Sequence, residues 1–198
     1  MSLTPEIKEI SSRKQEILDA AQQLFSERGY IAASMRHLAE ALGIRPASLY
    51  SHYKSKDEIL WEIAIRAAQN FYGRVDPILA SDRDPLSKLD AMMQAHTQAM
   101  IANIDASAIF FTEWKRLEDE KRSQFAEVIA TYESKFITVL QEGMAQGVFR
   151  TGDARFLTSM LLSTVNWMPA WYRPDGKMTP QDIAQASSDF VLNGLKTS

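Results

Sequence analysis

The chain has 198 residues, 45% of them hydrophobic and 24% charged, with a net charge of −3, three histidines and no cysteine. This length buries one sizeable core, or a small N-terminal unit joined to a larger one. Without cysteine there are no disulfides, thiolates or cysteine metal sites, and no stretch reaches the ~18 uncharged apolar residues of a membrane span or forms an apolar secretory leader, so a cytoplasmic protein is expected.

Met1 to Ser12 reads as a polar lead-in containing Pro5. A first helix is predicted from near Arg13, because Ile17, Ala20, Ala21, Leu24 and Phe25 recur at spacings of three and four, and Gly29 ends it. Ser34 is placed to cap a second helix carrying Leu38, Ala39 and Leu42, which Gly43 stops by taking the left-handed conformation. Pro46 sits in the opening turn of a third, where its missing N–H costs little. Ile44 and Leu49 anchor that helix, while Arg45, Ser48, Tyr50 and His52 are left to face outward. Two short helices about a glycine turn make a helix-turn-helix, and such a second helix suits a DNA major groove.

Charge distribution supports this reading more than the net sum does. From Arg28 to Lys56 the chain carries Arg28, Arg36, Arg45, Lys54 and Lys56 against Glu40 alone, while residues 61–198 hold 14 basic and 17 acidic side chains. Phosphate neutralisation needs such a local excess. Ser55 is expected to cap the fourth helix, with Asp57 and Glu58 in its first turn and a Ser-x-x-Glu capping box. That helix continues through Ile59, Leu60, Ile63, Ala64, Ala67 and Phe71 without a linker, so a mechanical connection is implied. Asp76-Pro77 and Asp82-Arg83-Asp84-Pro85 mark the loop that follows.

Five more helices are predicted near 85–103, 105–119, 121–147, 153–172 and 179–196. Phe125, Val128, Ile129, Tyr132, Phe136, Val139 and Leu140 line one face of the third, and Gly143 and Gly147 bring its end. No alternating strand pattern or internal repeat appears. The fold class is therefore all-α, about nine helices: a helix-turn-helix three-helix unit, residues 1–56, and a ligand-binding and dimerisation bundle, residues 57–198. Phe156, Met160 and Leu161 on one late helix and Ile183, Ser187, Phe190, Val191 and Gly194 on the other are expected to form a homodimer interface, a four-helix bundle across a two-fold axis. The same faces also suit a protomer core. Met92, Met93, His96 and Met100, then Phe110, Phe111 and Trp114, Tyr132, and Asn166, Trp167 and Trp171 are candidates for an adaptable apolar ligand pocket, although such stripes equally make ordinary core.

The run Leu49-Tyr50-Ser51-His52-Tyr53-Lys54-Ser55-Lys56-Asp57-Glu58, with Ile17-Leu18-Asp19-Ala20-Ala21-Gln22-Gln23-Leu24-Phe25-Ser26-Glu27-Arg28-Gly29-Tyr30 before it, resembles the N-terminal domain of TetR-family transcriptional regulators over residues 13 to 60. The resemblance implies a homodimeric repressor of a palindromic double-stranded operator, released by a small-molecule effector bound in the C-terminal region. It places Ser34, Tyr50, His52 and Lys56 on phosphates and Arg36, Arg45, Ala47 and Ser48 in the groove. Arginine suits guanine, Ala47 a thymine methyl, and hydroxyl or ammonium groups suit phosphate oxygens. Tyr53 is expected to be packed. Asn166-Trp167 followed by Trp171-Tyr172-Arg173-Pro174-Asp175-Gly176 is similar to TetR regulators of fatty-acid, aromatic-acid and sterol catabolism, which suggests an acyl-CoA effector whose phosphates meet Arg173, Arg116 or Lys115. Arg173 capping a helix C-terminus is the competing use, and Pro169 should kink the helix between the two tryptophans.

Two rival readings use the same residues. One is a helical ligand-binding or interaction protein that does not bind DNA, against which Tyr50, His52 and Lys56 argue. The other is a small all-α enzyme built on His96 with Asp90 and Glu113, but the chain has no His-x-x-x-His, nucleophile motif or Gly-rich phosphate loop, so no catalytic residue, metal site or cofactor is assigned.

Overall fold

The computed structural model describes residues 11–196, so most of the lead-in, residues 1–10, lies outside the described part. Those residues form α-helices α1 (Ser12–Arg28), α2 (Met35–Ala41), α3 (Pro46–Tyr50), α4 (Lys56–Leu79), α5 (Pro85–Ala102), α6 (Ile104–Thr112), α7 (Asp119–Ala145), α8 (Ala154–Asn166), α9 (Met168–Trp171) and α10 (Pro180–Leu195). A 3-10 turn, Glu113–Arg116, follows α6. Among the described residues the only β pairing is an isolated antiparallel bridge between Phe149 and Lys196. The fold is all-α, and no described helix is long and apolar enough to cross a membrane.

Local chemistry sets most helix ends. Gly29 closes α1 at φ +76, its N–H donating to the Phe25 carbonyl at 2.9 Å. After α2, the Gly43 N–H reaches the Glu40 carbonyl at 3.1 Å and the Ile44 N–H the Ala39 carbonyl at 3.0 Å, with Gly43 at φ +64. This paired closure needs a left-handed residue, which glycine adopts without a Cβ clash. Thr179 and Asp182 cap α10 reciprocally. At α4 the expected box is displaced by one residue: Ser55 Oγ accepts from the Glu58 N–H at 3.2 Å, but the Glu58 carboxylate accepts from the Lys54 N–H at 2.7 Å.

Three expectations are corrected. Asp76-Pro77 is not loop, because α4 continues to Leu79 with Pro77 inside it. One missing N–H so near the end removes little, and Asp76 Oδ1, 2.8 Å from Lys135 Nζ, ties that turn to α7. Gly143 does not end α7; a Cβ there would lie 2.1 Å from the Phe149 ring, so glycine makes room for that side chain while Gly147, at φ +70, brings the end. The single helix expected over 153–172 is broken at Trp167, and α9, a single turn with Pro169 in its opening, follows.

The chain divides into two compact units. One holds the described residues up to Gln69 together with Asp105–Glu127; the other holds Asn70–Ile104 and the chain from Val128 onward. Ile17, Leu18, Ala21, Leu24, Phe25, Leu38, Leu49, Ile59, Leu60, Phe110 and Phe125 are buried in the first. Phe71, Tyr72, Leu89, Met92, Met93, Met100, Tyr132, Phe136, Val139, Leu140 and Val165 are buried in the second. Helix α10 packs along α5, where Ser188 Oγ donates to Asp90 Oδ1 at 2.6 Å and Gln94 Nε2 to Gln185 Oε1 at 3.2 Å.

Candidate functional sites

In the first unit, α3 buries Leu49 alone of its five residues. Pro46 opens it, and Arg45 occupies the N-cap position in extended backbone without using its side chain as a cap. Arg45, Ala47 and Ser48 are exposed, Tyr50 is 52% exposed, and His52 is half-buried. A helix with so little packing of its own is positioned by its neighbours and leaves its polar face free for a partner. Ser34 Oγ accepts from the His37 N–H at 3.2 Å, which keeps its hydroxyl proton available for donation. Arg36 pairs with Glu40 at 3.0 Å, but the two side chains are 82% and 61% exposed. An ion pair so wet contributes little and is readily exchanged for phosphate. Tyr53 is packed, as expected: it is buried, donates its hydroxyl to Glu62 Oε2 at 2.9 Å, and has the Lys14 ammonium 5.0 Å from its ring centre. Burial holds its phenol above the usual range, reinforced by Glu62.

Lys56, for which the resemblance implies a phosphate contact, is engaged within the chain. Its ammonium donates to the carbonyls of Tyr30 at 2.7 Å, Ile31 at 3.3 Å and Ala33 at 2.8 Å, and lies 4.3 Å from the Tyr30 ring centre. All three protons are directed into the turn between α1 and α2. Tyr30, stacked edge-on against Phe25 with ring centres 5.2 Å apart, donates its hydroxyl to Asp57 Oδ1 at 2.9 Å. No local pattern announces this arrangement, since the partners are 23 to 26 positions apart in sequence.

In the second unit a buried polar chain crosses three helices. Tyr132 Oη lies 2.9 Å from His96 Nδ1, and His96 Nε2 lies 3.0 Å from Asn166 Oδ1. With Asn166 Oδ1 as acceptor, Nε2 carries the imidazole proton and Nδ1 accepts from Tyr132, a tautomer assigned from the amide orientation. Burial pushes His96 down to about 4, and the Asn166 bond offsets part of that. The imidazole is therefore neutral near pH 7. Beside it the Tyr72 hydroxyl donates to the Val128 carbonyl at 2.6 Å, and Lys135 Nζ, paired with Asp76, lies 4.7 Å from the Tyr72 ring centre. The imagined His96–Asp90–Glu113 cluster is not assembled: Asp90 accepts from Ser188 and Gln94, and Glu113 pairs with Arg116 in the other unit.

The pocket candidates fall into separate groups. Met92, Met93, His96, Met100 and Tyr132 are buried together in the second unit. Phe110, Phe111 and Trp114 belong to the first, where Phe110 and Trp114 stack on Phe125 at 5.3 and 5.6 Å. Trp167 is 72% exposed. Trp171 lines a groove of about 580 Å³ with Tyr172, Arg173, Met178, Ile183 and Phe190. Arg173 also donates to the Tyr172 carbonyl at 3.1 Å, one residue beyond the end of α9.

The interface candidates divide as well. Leu161, Ile183 and Val191 are buried within the protomer, at 4%, 7% and 7% exposure, so those positions complete the core. Phe156, Met160 and Phe190 are 62%, 55% and 73% exposed, with Gly194 exposed and Ser187 half-buried beside them. Helical period alone marks both flanks of the stripe as apolar; α5 packing against α10 decides which one faces inward.

Residues 17–63 match the family described as bacterial regulatory proteins, tetR family, and residues 82–195 match the tetracyclin repressor-like C-terminal domain. The chain is 33% identical over 187 residues to the HTH-type transcriptional repressor KstR2 of Rhodococcus jostii, covering 93% of this chain and 92% of that protein. The structure of the ketosteroid transcriptional regulator KstR2 of Mycobacterium tuberculosis superposes with a TM-score of 0.89 at 28% identity, over 96% of this chain and 98% of that one. AibR, solved in complex with isovaleryl coenzyme A and operator DNA, superposes with a TM-score of 0.81 at 25% identity, over 90% and 97% of the two chains.

Proposed function

The chain belongs to the TetR family of bacterial transcriptional regulators, and from that premise we propose how this DNA-binding, ligand-responsive repressor uses the residues described above. The α3 face is the reader: Arg45, Ala47 and Ser48 enter the major groove, helped by Arg36, while Ser34, Tyr50 and His52 meet phosphates. The observation that carries this is the exposure of every α3 residue except Leu49. Phosphate contacts fix register, and base-edge contacts from the helix supply sequence preference. The heads of a homodimer read two half-sites of a palindrome, so their separation must match the half-site spacing. The exposed stripe of Phe156, Met160 and Phe190 on α8 and α10 forms the two-fold contact. Residues 1–56 serve as the reading domain and 57–198 as the ligand and assembly domain.

The effector we propose is an acyl-CoA thioester. Support comes from AibR, bound to isovaleryl coenzyme A, and from the sequence Trp171-Tyr172-Arg173, where apolar rings adjoin a cation. The thioester binds the two operator-affinity states unequally, since an effector with equal affinity for both shifts nothing. His96 we read as a structural polar group of the ligand domain, not a catalytic one. The test starts with selection of random duplexes by the purified protein at about 150 mM salt, where charge alone is screened. A palindromic consensus is expected, followed by its release on adding C4–C18 acyl-CoA thioesters and not free coenzyme A. Retention of the duplex with every thioester overturns the effector class; failure to enrich any duplex overturns the reader.

A further inference from the structure

We propose that Lys56 is a positioning residue of the reading head: its ammonium clamps the turn between α1 and α2 onto the start of α4, and so sets the cap of α2, instead of binding phosphate. An ammonium has three donors and no acceptor. Here they meet the carbonyls of Tyr30, Ile31 and Ala33 at 2.7, 3.3 and 2.8 Å. These carbonyls lie between Gly29, which ends α1, and Ser34, which caps α2. Charge-assisted bonds to such groups are roughly twice as strong as neutral ones. The Tyr30 ring roofs the ammonium at 4.3 Å, and its hydroxyl is held by Asp57, the residue after Lys56. One face of the turn is thus pinned to the first two residues of α4, and the Phe25–Tyr30 stack pins it to α1.

The consequence lies at Ser34. Its hydroxyl caps α2 and is itself a candidate phosphate donor, and α2 leads through the Gly43 turn into α3. A displaced turn moves the reading surface without unfolding any helix. Lys56 therefore acts on DNA through Ser34 and α2, and the head loses a phosphate ligand that its charge would suggest. This rests on the reading that the head binds DNA, while part of its test does not.

The experiment compares the full-length wild type with Lys56→Gln and Lys56→Arg on a duplex selected by the wild type, titrated between 50 and 300 mM salt, with amide exchange of residues 30–34 followed without DNA. A lost phosphate contact lowers the slope of log affinity against log salt by about 0.9 per contact, so by about two for a dimer. The clamp predicts the opposite pattern: roughly tenfold weaker binding for Lys56→Gln with an unchanged slope, and faster exchange at 30–34. Lys56→Arg sharpens it, because a planar guanidinium keeps the charge but cannot aim three donors at this turn. The clamp expects weakened binding there too, whereas a phosphate ligand tolerates arginine. A reduced slope, full affinity in Lys56→Arg, or unchanged exchange each overturns the proposal. So does a variant that melts earlier while its folded form binds normally, since that lysine is merely structural. If neither variant folds, the wild-type Lys56 ammonium resonance decides: unperturbed on adding the duplex in support, shifted in the manner of a phosphate contact against.

Discussion

The two compact units both bury aliphatic and aromatic side chains but differ in what they leave at the surface. The first, with Ser107 buried and Ile31 exposed, carries the outward Arg36, Arg45, Ser48 and Tyr50 about its helix-turn-helix. The second buries His96, Thr97, Thr158 and Ser188 and leaves Phe156, Met160, Trp167, Trp171, Met178 and Phe190 outside. Exposed donors suit a hydrated, anionic partner whose contacts exchange with salt. A contiguous apolar stripe suits a partner that removes it from water. Inside the second unit Ser188 meets Asp90, Thr97 meets the Met93 carbonyl and His96 meets Tyr132 and Asn166, and such bonds define one packing arrangement more sharply than apolar contact alone.

The most damaging way to test the contrast is to excavate the buried side. Phe136 is fully buried with its ring centre 5.5 Å from Tyr132, so Phe136→Ala should cost about 3–5 kcal/mol of unfolding free energy in a urea titration. The equally aromatic but exposed Phe190→Ala should leave unfolding extrapolated to the monomer nearly unchanged. Comparable losses for the two would erase the distinction between core and stripe.

Acid probes the buried imidazole. His96 is about 4 in the fold against 6.5 when unfolded, so the unfolded chain binds the extra proton between those values. Its contribution is intact above pH 6.5 and is lost as the pH falls toward 4, up to about 3 kcal/mol in total. His96→Gln should flatten that part of the stability–pH curve, read by thermal melts from pH 4 to 7.5; an unchanged curve would show that the ring is not neutral and buried.

Removing the stripe comes next in size. Phe156→Ser with Phe190→Ser should weaken self-association by about 2–4 kcal/mol, measured by sedimentation, with helix content retained. An unaltered dimer would place the contact elsewhere. On the reading side, Tyr50→Ala should reduce affinity for a selected duplex by about 1 kcal/mol and lower the salt slope only slightly, because a phenol is an uncharged ligand. Smallest of all, Glu40→Gln frees Arg36 from its wet ion pair and should change stability by less than about 0.5 kcal/mol.

Much of the architecture was legible along the chain because helix ends are local events. Ser34, Gly43 and Pro46 act on residues close to them in sequence, and the period of α7 is visible as soon as Phe125 to Leu140 are written on a helix. Tyr53 was legible as packed, and the outward residues of α3 were separable from Leu49 by spacing alone. Where prediction failed locally, a distant partner overrode a short-range rule: Lys135 secures the turn containing Pro77, and the Phe149 ring requires Gly143.

The sequence by itself therefore determined an all-α chain, its helix-turn-helix and the concentration of cations on that motif, because propensity, capping and charge are properties of neighbours. Only the tertiary structure decided that Lys56 faces inward to three carbonyls, that His96 bridges Tyr132 and Asn166, and that Ile183 and Val191 are core while Phe190 is surface. Each depends on which groups meet across 23 to 70 or more intervening positions. Periodicity specifies that a helix has an apolar face; the elements packed against it select which residues of that face leave water.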